Sequence, residues 1–375
     1  MAIGARASSK ATVGSQEGVF HRGLAVLGRH LPRLQGSLTR QRHAGLLTRR
    51  RLQMALGLLW ILDGALQFQP YMYRPGSNGF MGPVTQNTMG SPNPITDLIR
   101  IFASFGVAHQ LLFNVGIGLV QLALGAGLWW RPTVKVALAV SVAWSIGVWV
   151  IGEALGQMIF PQASMLTGAP GAALVYSVVS LVLWPKSPDQ GASVADAGLL
   201  GVLGTRLVWA AVWCGTALLE LERGNHAPNA ISAQLANGAD GQPAVLGGID
   251  HFFAHLFASR GTAVAGALLV AQVVVGWAVV PLGPRRGVLW LAIGLSLFYW
   301  VVGQDLGSLL TGQATDPNLG PPMLLFTLAL WPRASRAEPP TEEPVTGPPV
   351  AKDAPAEAAA RSSGHLSGQG SDGSR

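Results

Sequence analysis

The run Gly261-Thr-Ala-Val-Ala-Gly-Ala-Leu-Leu-Val-Ala-Gln-Val-Val-Val-Gly-Trp-Ala-Val-Val280 decides the class of this protein. It carries no charge, and Gln272 is its one strongly polar side chain. A helix rises about 1.5 Å per residue, so a stretch of this length reaches about 30 Å, the thickness of a bilayer's hydrocarbon core. Hydrocarbon offers the backbone no water, so a spanning segment closes its own hydrogen bonds as a helix. The run predicts a transmembrane helix.

Seven further apolar runs flank it: Leu52–Phe68, Ala108–Trp129, Val134–Gly152, Ala169–Trp184, Gly201–Leu221, Val288–Gly303 and Leu319–Trp331. Together they predict an all-α, polytopic bundle of about eight transmembrane helices. Ala169–Trp184 and Leu319–Trp331 are short for a span, and read either as nearly upright spans in thin bilayer or as re-entrant hairpins. Composition agrees, with 49% hydrophobic and only 11% charged residues, against roughly 25% charged in soluble domains. The 48 glycines suit close helix packing and the 12 tryptophans suit membrane interfaces.

The net charge of +7 is uneven along the chain. Residues 1–50 hold Arg6, Lys10, Arg22, Arg29, Arg33, Arg40, Arg42, Arg49 and Arg50 against Glu17, with Arg51 next. No nucleic-acid motif accompanies them, so this arm is expected to meet anionic lipid rather than nucleic acid. A short amphipathic helix over residues 19–31 is compatible with the arm, which shows no signal-peptide cleavage pattern. Residues 334–375 are Pro-, Ala-, Ser-, Gly- and Glu-rich, and are expected to stay disordered.

Placing the N-terminus inside and threading eight spans puts Arg131, Lys135, Lys186, Arg206, Arg285, Arg286, Arg333 and Arg336 in inner loops. The outer loops then hold only Arg74, Arg100, Arg223 and Arg260. That bias obeys the positive-inside rule. It predicts a multi-pass protein of the cell (inner or plasma) membrane with both termini cytoplasmic and the bilayer as its first partner.

The two halves echo each other. Trp60-Ile-Leu-Asp63-Gly-Ala-Leu-Gln67-Phe-Gln69 aligns with Trp213-Cys-Gly-Thr216-Ala-Leu-Leu-Glu220-Leu-Glu222, and Phe102-Ala-Ser-Phe-Gly106 with Phe257-Ala-Ser-Arg-Gly261. Gly152-Glu153-Ala-Leu-Gly156 aligns with Gly303-Gln304-Asp305-Leu-Gly307, and Gln162-Ala-Ser164 with Gln313-Ala-Thr315. Both halves end in Trp-Pro, at Trp184-Pro185 and Trp331-Pro332. The pattern predicts two tandem four-helix membrane units, 51–186 and 200–332. An even number of spans gives both the same orientation, related by an axis along the membrane normal. Each unit carries a long outer loop that ends in an amphipathic segment, Ile95–Phe105 or Ile249–Phe257.

An ionisable group at membrane depth needs a partner or a task. Asp63, Glu153, Glu220 and Asp305 are the candidates, with Gln67, Asn114, Gln121, Gln272 and Gln304 as hydrogen-bonding company. No Lys or Arg lies deep enough to neutralise Asp63, which is either protonated or faces water, a hydroxyl or an ion. One reading is an outward-facing polar vestibule that binds a proton, ion or small solute. The other is that Glu153, Glu220 and Asp305 mark helix ends in water. His251 and His255 stand four residues apart on one helix face, near enough to share a metal, and His109 lies at the mouth of the second span. Such pairs also occur without metal on interfacial helices. The run Thr311–Asn318 reads as a capping turn whose Gln313, Thr315, Asp316 and Asn318 are also able to line a site. Cys214 is the one cysteine, so no intramolecular disulfide and no zinc or iron–sulfur cysteine spacing exists. No phosphate loop, nucleophile elbow or haem-attachment motif appears, which leans away from an enzyme and leaves any cofactor unassigned.

The four-span unit with its polar outer end resembles the DoxX-like group of small bacterial membrane proteins. The runs WILDGALQFQPYM and GQDLGSLLTGQATDPN resemble a bacterial family of uncharacterised eight-span proteins. The resemblance covers about residues 52–332. It implies, as an alternative to solute or proton binding, a membrane subunit of a quinone- or metal-linked redox system; the long outer loops leave an envelope scaffold as a further alternative. This chain lacks the cysteine pair that thiol chemistry requires.

Overall fold

The computed structural model describes residues 47–86, 93–186 and 192–333. The basic arm before residue 47, with its expected helix at 19–31, and the tail from 334 lie outside the described residues. The described residues are all-helical, 75% of them in helix, with no strand among them.

Twelve α-helices follow one another among the described residues: α1 Arg49–Leu66, α2 Met81–Gln86, α3 Asn93–Ala108, α4 Gln110–Trp129, α5 Val134–Ile151, α6 Ala172–Val182, α7 Gly201–Leu219, α8 Ala230–Gly238, α9 Ala244–Phe257, α10 Gly261–Leu282, α11 Arg286–Phe298 and α12 Gly320–Ala329. A π-helical segment, Tyr299–Gly303, extends α11. Five are long and apolar enough to cross a membrane: α4, α5 with its leading turn, α7, α10 and α11 with its extension. Their flanks expose Leu111, Leu112, Val136, Trp277 and Trp290. That is the reverse of a water-soluble surface and the surface a multi-pass membrane protein presents to lipid.

α1 has 18 residues but opens on Arg49, Arg50 and Arg51 and holds Asp63. α6 and α12 have 11 and 10 residues, about 15–17 Å of helix, well under the hydrocarbon thickness. Each is preceded by a long irregular segment. The apolar runs expected at Ala169–Trp184 and Leu319–Trp331 thus divide between loop and helix.

Glycines let the long helices approach. A Cβ on Gly64 of α1 would lie 2.9 Å from the Gly118 carbonyl oxygen of α4, and one on Gly276 of α10 would meet Trp213 and Cys214 of α7. α1 packs on α4 as α7 packs on α10, and α5 packs on α6 as α11 packs on α12. The core between them is apolar with a few polar ties. Trp60 stands edge-on to Tyr176 at 4.7 Å and donates its indole N–H to Ser141 at 3.0 Å. Ser141 in turn bonds Ser180 at 2.8 Å, which joins α1, α5 and α6. At the Arg49 end, guanidinium groups cap part-buried carbonyls at or just beyond helix C-termini: Arg49 donates to Trp184 O at 2.7 Å, and Arg50 to Leu128 O at 2.7 Å. A cation at the negative end of a helix dipole is favourable.

At the other end the chain makes an unusual turn twice. Ala154, Leu155, Gly156 and Gln157 all have positive φ (47°, 60°, 62° and 56°), as do Asp305, Leu306, Gly307 and Ser308 (50°, 54°, 72° and 55°). Each is a left-handed turn in which three residues are not glycine, a geometry that costs about 1–2 kcal/mol per residue. The glycine is required for closeness as well: a side chain on Gly156 would run into the Pro170 carbonyl, and one on Gly307 into Pro317. An indole fixes each turn, Trp149 Nε1 to Pro170 O at 2.8 Å and Trp300 Nε1 to Pro317 O at 2.7 Å.

Candidate functional site

Glu153 follows the end of α5 and enters the first left-handed turn. The turn throws its carboxylate onto the N-terminus of α6, where Oε1 accepts the Ala173 amide N–H at 3.0 Å. Helix N-termini favour anions. Its Oε2 is buried without a partner, in space left by Gly171, whose Cβ would collide with it.

Asp63 lies in α1 and is 2% exposed. The Tyr176 hydroxyl of α6 faces it, yet neither Asp63 Oδ1 nor Tyr176 OH completes a well-formed hydrogen bond. One turn further, Gln67 Nε2 donates to Thr315 O at 3.4 Å and Gln69 Nε2 to Ala314 O at 3.0 Å. The end of α1 thereby grips the loop from the second half of the chain. That grip sets Asp316 beside Asp63 and Glu153, near enough to repel both. Asp316 accepts the Asn318 amide N–H and the Thr315 hydroxyl, both at 2.7 Å. Capping and site lining, the two roles open to this loop, thus fall to one side chain.

No described Lys, Arg or His pairs with Asp63, Glu153 or Asp316. Burial first, then the charge of Asp316, pushes Glu153 up to about 8, against the pull of its amide donors. Burial likewise raises Asp316.

The exchange of loops is mutual. The segment after the first left-handed turn crosses to the second half, where Asn225 Nδ2 donates to Ala163 O at 2.9 Å and Gln304 Nε2 to Met165 O at 2.8 Å. Glu220, 1% exposed at the end of α7, accepts Gln272 Nε2 at 3.0 Å, and the Met165 amide points its N–H at the same carboxylate. Gln272 spends its other N–H on the Tyr299 hydroxyl at 3.0 Å. Burial raises Glu220 to about 7, opposed by the Gln272 bond.

Asp305 falls in a third place. Its carboxyl, 6% exposed, meets Asp250 of α9, which is 1% exposed. Burial, followed by the bond to Asp250 and its charge, lifts Asp305 to about 8. The four carboxyls expected around one vestibule therefore occupy three neighbourhoods: Asp63 with Glu153, Glu220 with Gln304, and Asp305 with Asp250. Gln67 belongs to the first.

The histidines stand apart. His251 and His255 are exposed on α9, and His109 is exposed against Phe105, with ring centroids 5.0 Å apart. No three His, Cys, Asp or Glu side chains converge on a metal-sized point among the described residues. Sequence reasoning gave no site role to Tyr176, the one ionisable side chain in the Ala169–Trp184 run. Asp250 was visible only as part of an amphipathic segment. Comparison of the chain with family models, curated proteins and solved structures found no match, so the site is read from its own geometry.

Proposed function

We propose that this chain is a cell-membrane protein of two tandem four-helix units, both termini cytoplasmic, that takes up and releases protons at the Asp63–Glu153–Asp316 site on its outer side. The repeated turn, the paired packing of α1 on α4 and α7 on α10, and the ordered polar matches of the two halves support the tandem reading. The arginine-capped end, opposite the site, supports the orientation.

One observation carries the functional reading: three carboxyls from both halves gather in a buried place with no cationic partner. The same imbalance runs through the interior. Among the described residues, the buried side-chain atoms without a hydrogen bond include twelve carboxyl or amide oxygens, against three N–H donors (Trp144 Nε1, Trp213 Nε1 and Arg206 Nε) and the hydroxyls of Ser145, Tyr176 and Thr205. Buried acceptors need donors. A proton on a carboxyl converts an acceptor into a donor at the least structural cost. Buried carboxyls at membrane depth form proton relays for this reason.

Proton flux into liposomes under an imposed pH difference, followed with a trapped pH-sensitive dye, tests the reading. Wild-type protein is expected to conduct, and Asp63→Asn to lower the flux about tenfold or more. A wild-type flux no greater than that of empty liposomes, or an unchanged flux in the variant, would overturn it. The DoxX-like alternative of a quinone-linked subunit predicts something else, an absorbing group that co-purifies with the protein; the proton reading requires none.

A further inference from the structure

The third carboxyl of the site is a guest. Asp316 reaches Asp63 and Glu153 on a loop of the other half of the chain, and four contacts decide where that loop lies. Two come from α1, the Gln67 and Gln69 amides on the Thr315 and Ala314 carbonyls. The third is the left-handed turn 305–308, whose Gly307 closes against Pro317. The fourth is the Trp300 indole N–H on the Pro317 carbonyl at 2.7 Å, next to Asp316 in sequence. Trp300 sits on the π-helical segment and packs against Gly320, at the start of α12. It is the only one of the four whose side chain ties the Asp316 loop to its own half.

We propose that Trp300 is a positioning residue for the Asp63 site: by holding Pro317 it keeps Asp316 against Asp63 and Glu153 and so tunes proton release from the pair. The inference rests on the proton-binding reading of that site. The titratable groups that face Glu153 and Asp63 are each other, Tyr176 from α6 and Asp316 from the loop, with no described cation among them. A negative charge beside a carboxyl disfavours its ionisation. If the loop relaxes, Asp316 repels less and Glu153 gives up its proton at lower pH. Trp149 makes the matching contact in the first half, but its partner, Pro170, leads into the α6 N-terminus that caps Glu153. Trp149 therefore acts on Glu153 by a route that does not pass through Asp316.

The test uses dicyclohexylcarbodiimide, an apolar reagent that modifies protonated carboxyls, on the full chain in liposomes. The readout is the pH midpoint of labelling of the Glu153 peptide by mass spectrometry. Asp316→Asn is expected to move the midpoint to lower pH by about one unit, and Trp300→Phe by no more than that. The double variant is expected to match Asp316→Asn alone, because coupled positions are not additive. Trp149→Phe is expected to add its shift to that of Asp316→Asn. An unmoved midpoint in Trp300→Phe, or shifts that add in the double variant, would overturn the proposal. If Trp300→Phe does not fold, Trp300→Met, which also removes the indole donor to Pro317 O, takes its place, and the same two outcomes decide. Labelling needs no transport, so a failed flux measurement and a failed cycle are separate results.

Discussion

Asp63 and Thr216 hold matching places on helices that pack alike, and Gln67 and Glu220 do so one turn later, yet the polar groups around them are in opposite states. Around Glu220 the carboxylate itself is served: Gln272 and the Met165 amide donate to it, Gln272 also serves Tyr299, and Gln304 serves the Met165 carbonyl, while the amide oxygens of Gln272 and Gln304 stay without partners. Around Asp63 the donors fall short. There the matched positions carry Asp63 for Thr216 and Glu153 for Gln304, and the visiting loop adds Asp316. Asp63 Oδ1, Glu153 Oε2 and Gln67 Oε1 are left without partners. The Glu220 carboxyl thus has its donors, whereas the carboxyls around Asp63 keep unpartnered oxygens. A carboxyl with its donors in place is held, whereas surplus buried carboxyl oxygens titrate.

The largest effect expected to separate the two is on flux: Asp63→Asn abolishes most of it, while Glu220→Gln leaves a correctly folded protein within about twofold of wild type in the same liposome measurement. Stability should reverse the order. Gln272→Leu strips the donor from both Glu220 and Tyr299, and is expected to cost about 1–3 kcal/mol in denaturant unfolding in mixed micelles, more than Asp63→Asn. Equal losses at the two places would erase the contrast.

The turns come next. Gly156→Ala and Gly307→Ala are each expected to cost at least about 1–2 kcal/mol, from left-handed geometry alone and before the clash with Pro170 or Pro317. Leu155→Gly and Leu306→Gly relieve that geometry and are expected to be neutral or stabilising by up to about 1 kcal/mol. Thermal unfolding in detergent measures all four.

A smaller effect lies in the pH dependence. Glu153 is raised from 4.5 to about 8, so between those values the folded chain keeps a proton that the unfolded chain has lost. Stability therefore falls as pH rises through that window. Melting temperature is expected to drop from pH 5 to pH 9, with a shallower slope in Glu153→Gln. A slope that rises, or one unchanged in the variant, would count against buried protonated carboxyls. The smallest effect belongs to His251→Ala and His255→Ala, exposed on α9, which should stay within about 0.5 kcal/mol of wild type in the same melts.

Much of the helical frame was legible because hydrocarbon imposes length and apolarity on one segment at a time. Val134–Gly152 and Gly201–Leu221 were bounded within two residues of α5 and α7, and Ala108–Trp129 and Gly261–Val280 within two of α4 and α10. The amphipathic segments at 95–105 and 249–257 lie inside α3 and α9. The late start of α6, three residues into its apolar run, was not legible, because Ala169, Pro170 and Gly171 are apolar by composition, yet Gly171, at φ 97°, stands outside the helix. Nor was the role of Asp316. Its own surroundings, a Thr-Asp-Pro-Asn turn, account for it locally, and only folding brings it to Asp63. The same holds for Asp250 and Asp305, which meet across two elements. The matched polar letters of the two halves were readable, but which carboxyl finds donors depends on loops that cross between the halves.

The most direct test of the buried carboxyl site is a count of protons. The purified chain is taken from about pH 6 to about pH 9 and the protons released are measured against the triple variant Asp63→Asn, Glu153→Gln, Asp316→Asn. The wild type is expected to release at least one more proton than the triple variant, while Glu220→Gln still shows the surplus of the Asp63 site. Equal release by wild type and the triple variant would contradict the account.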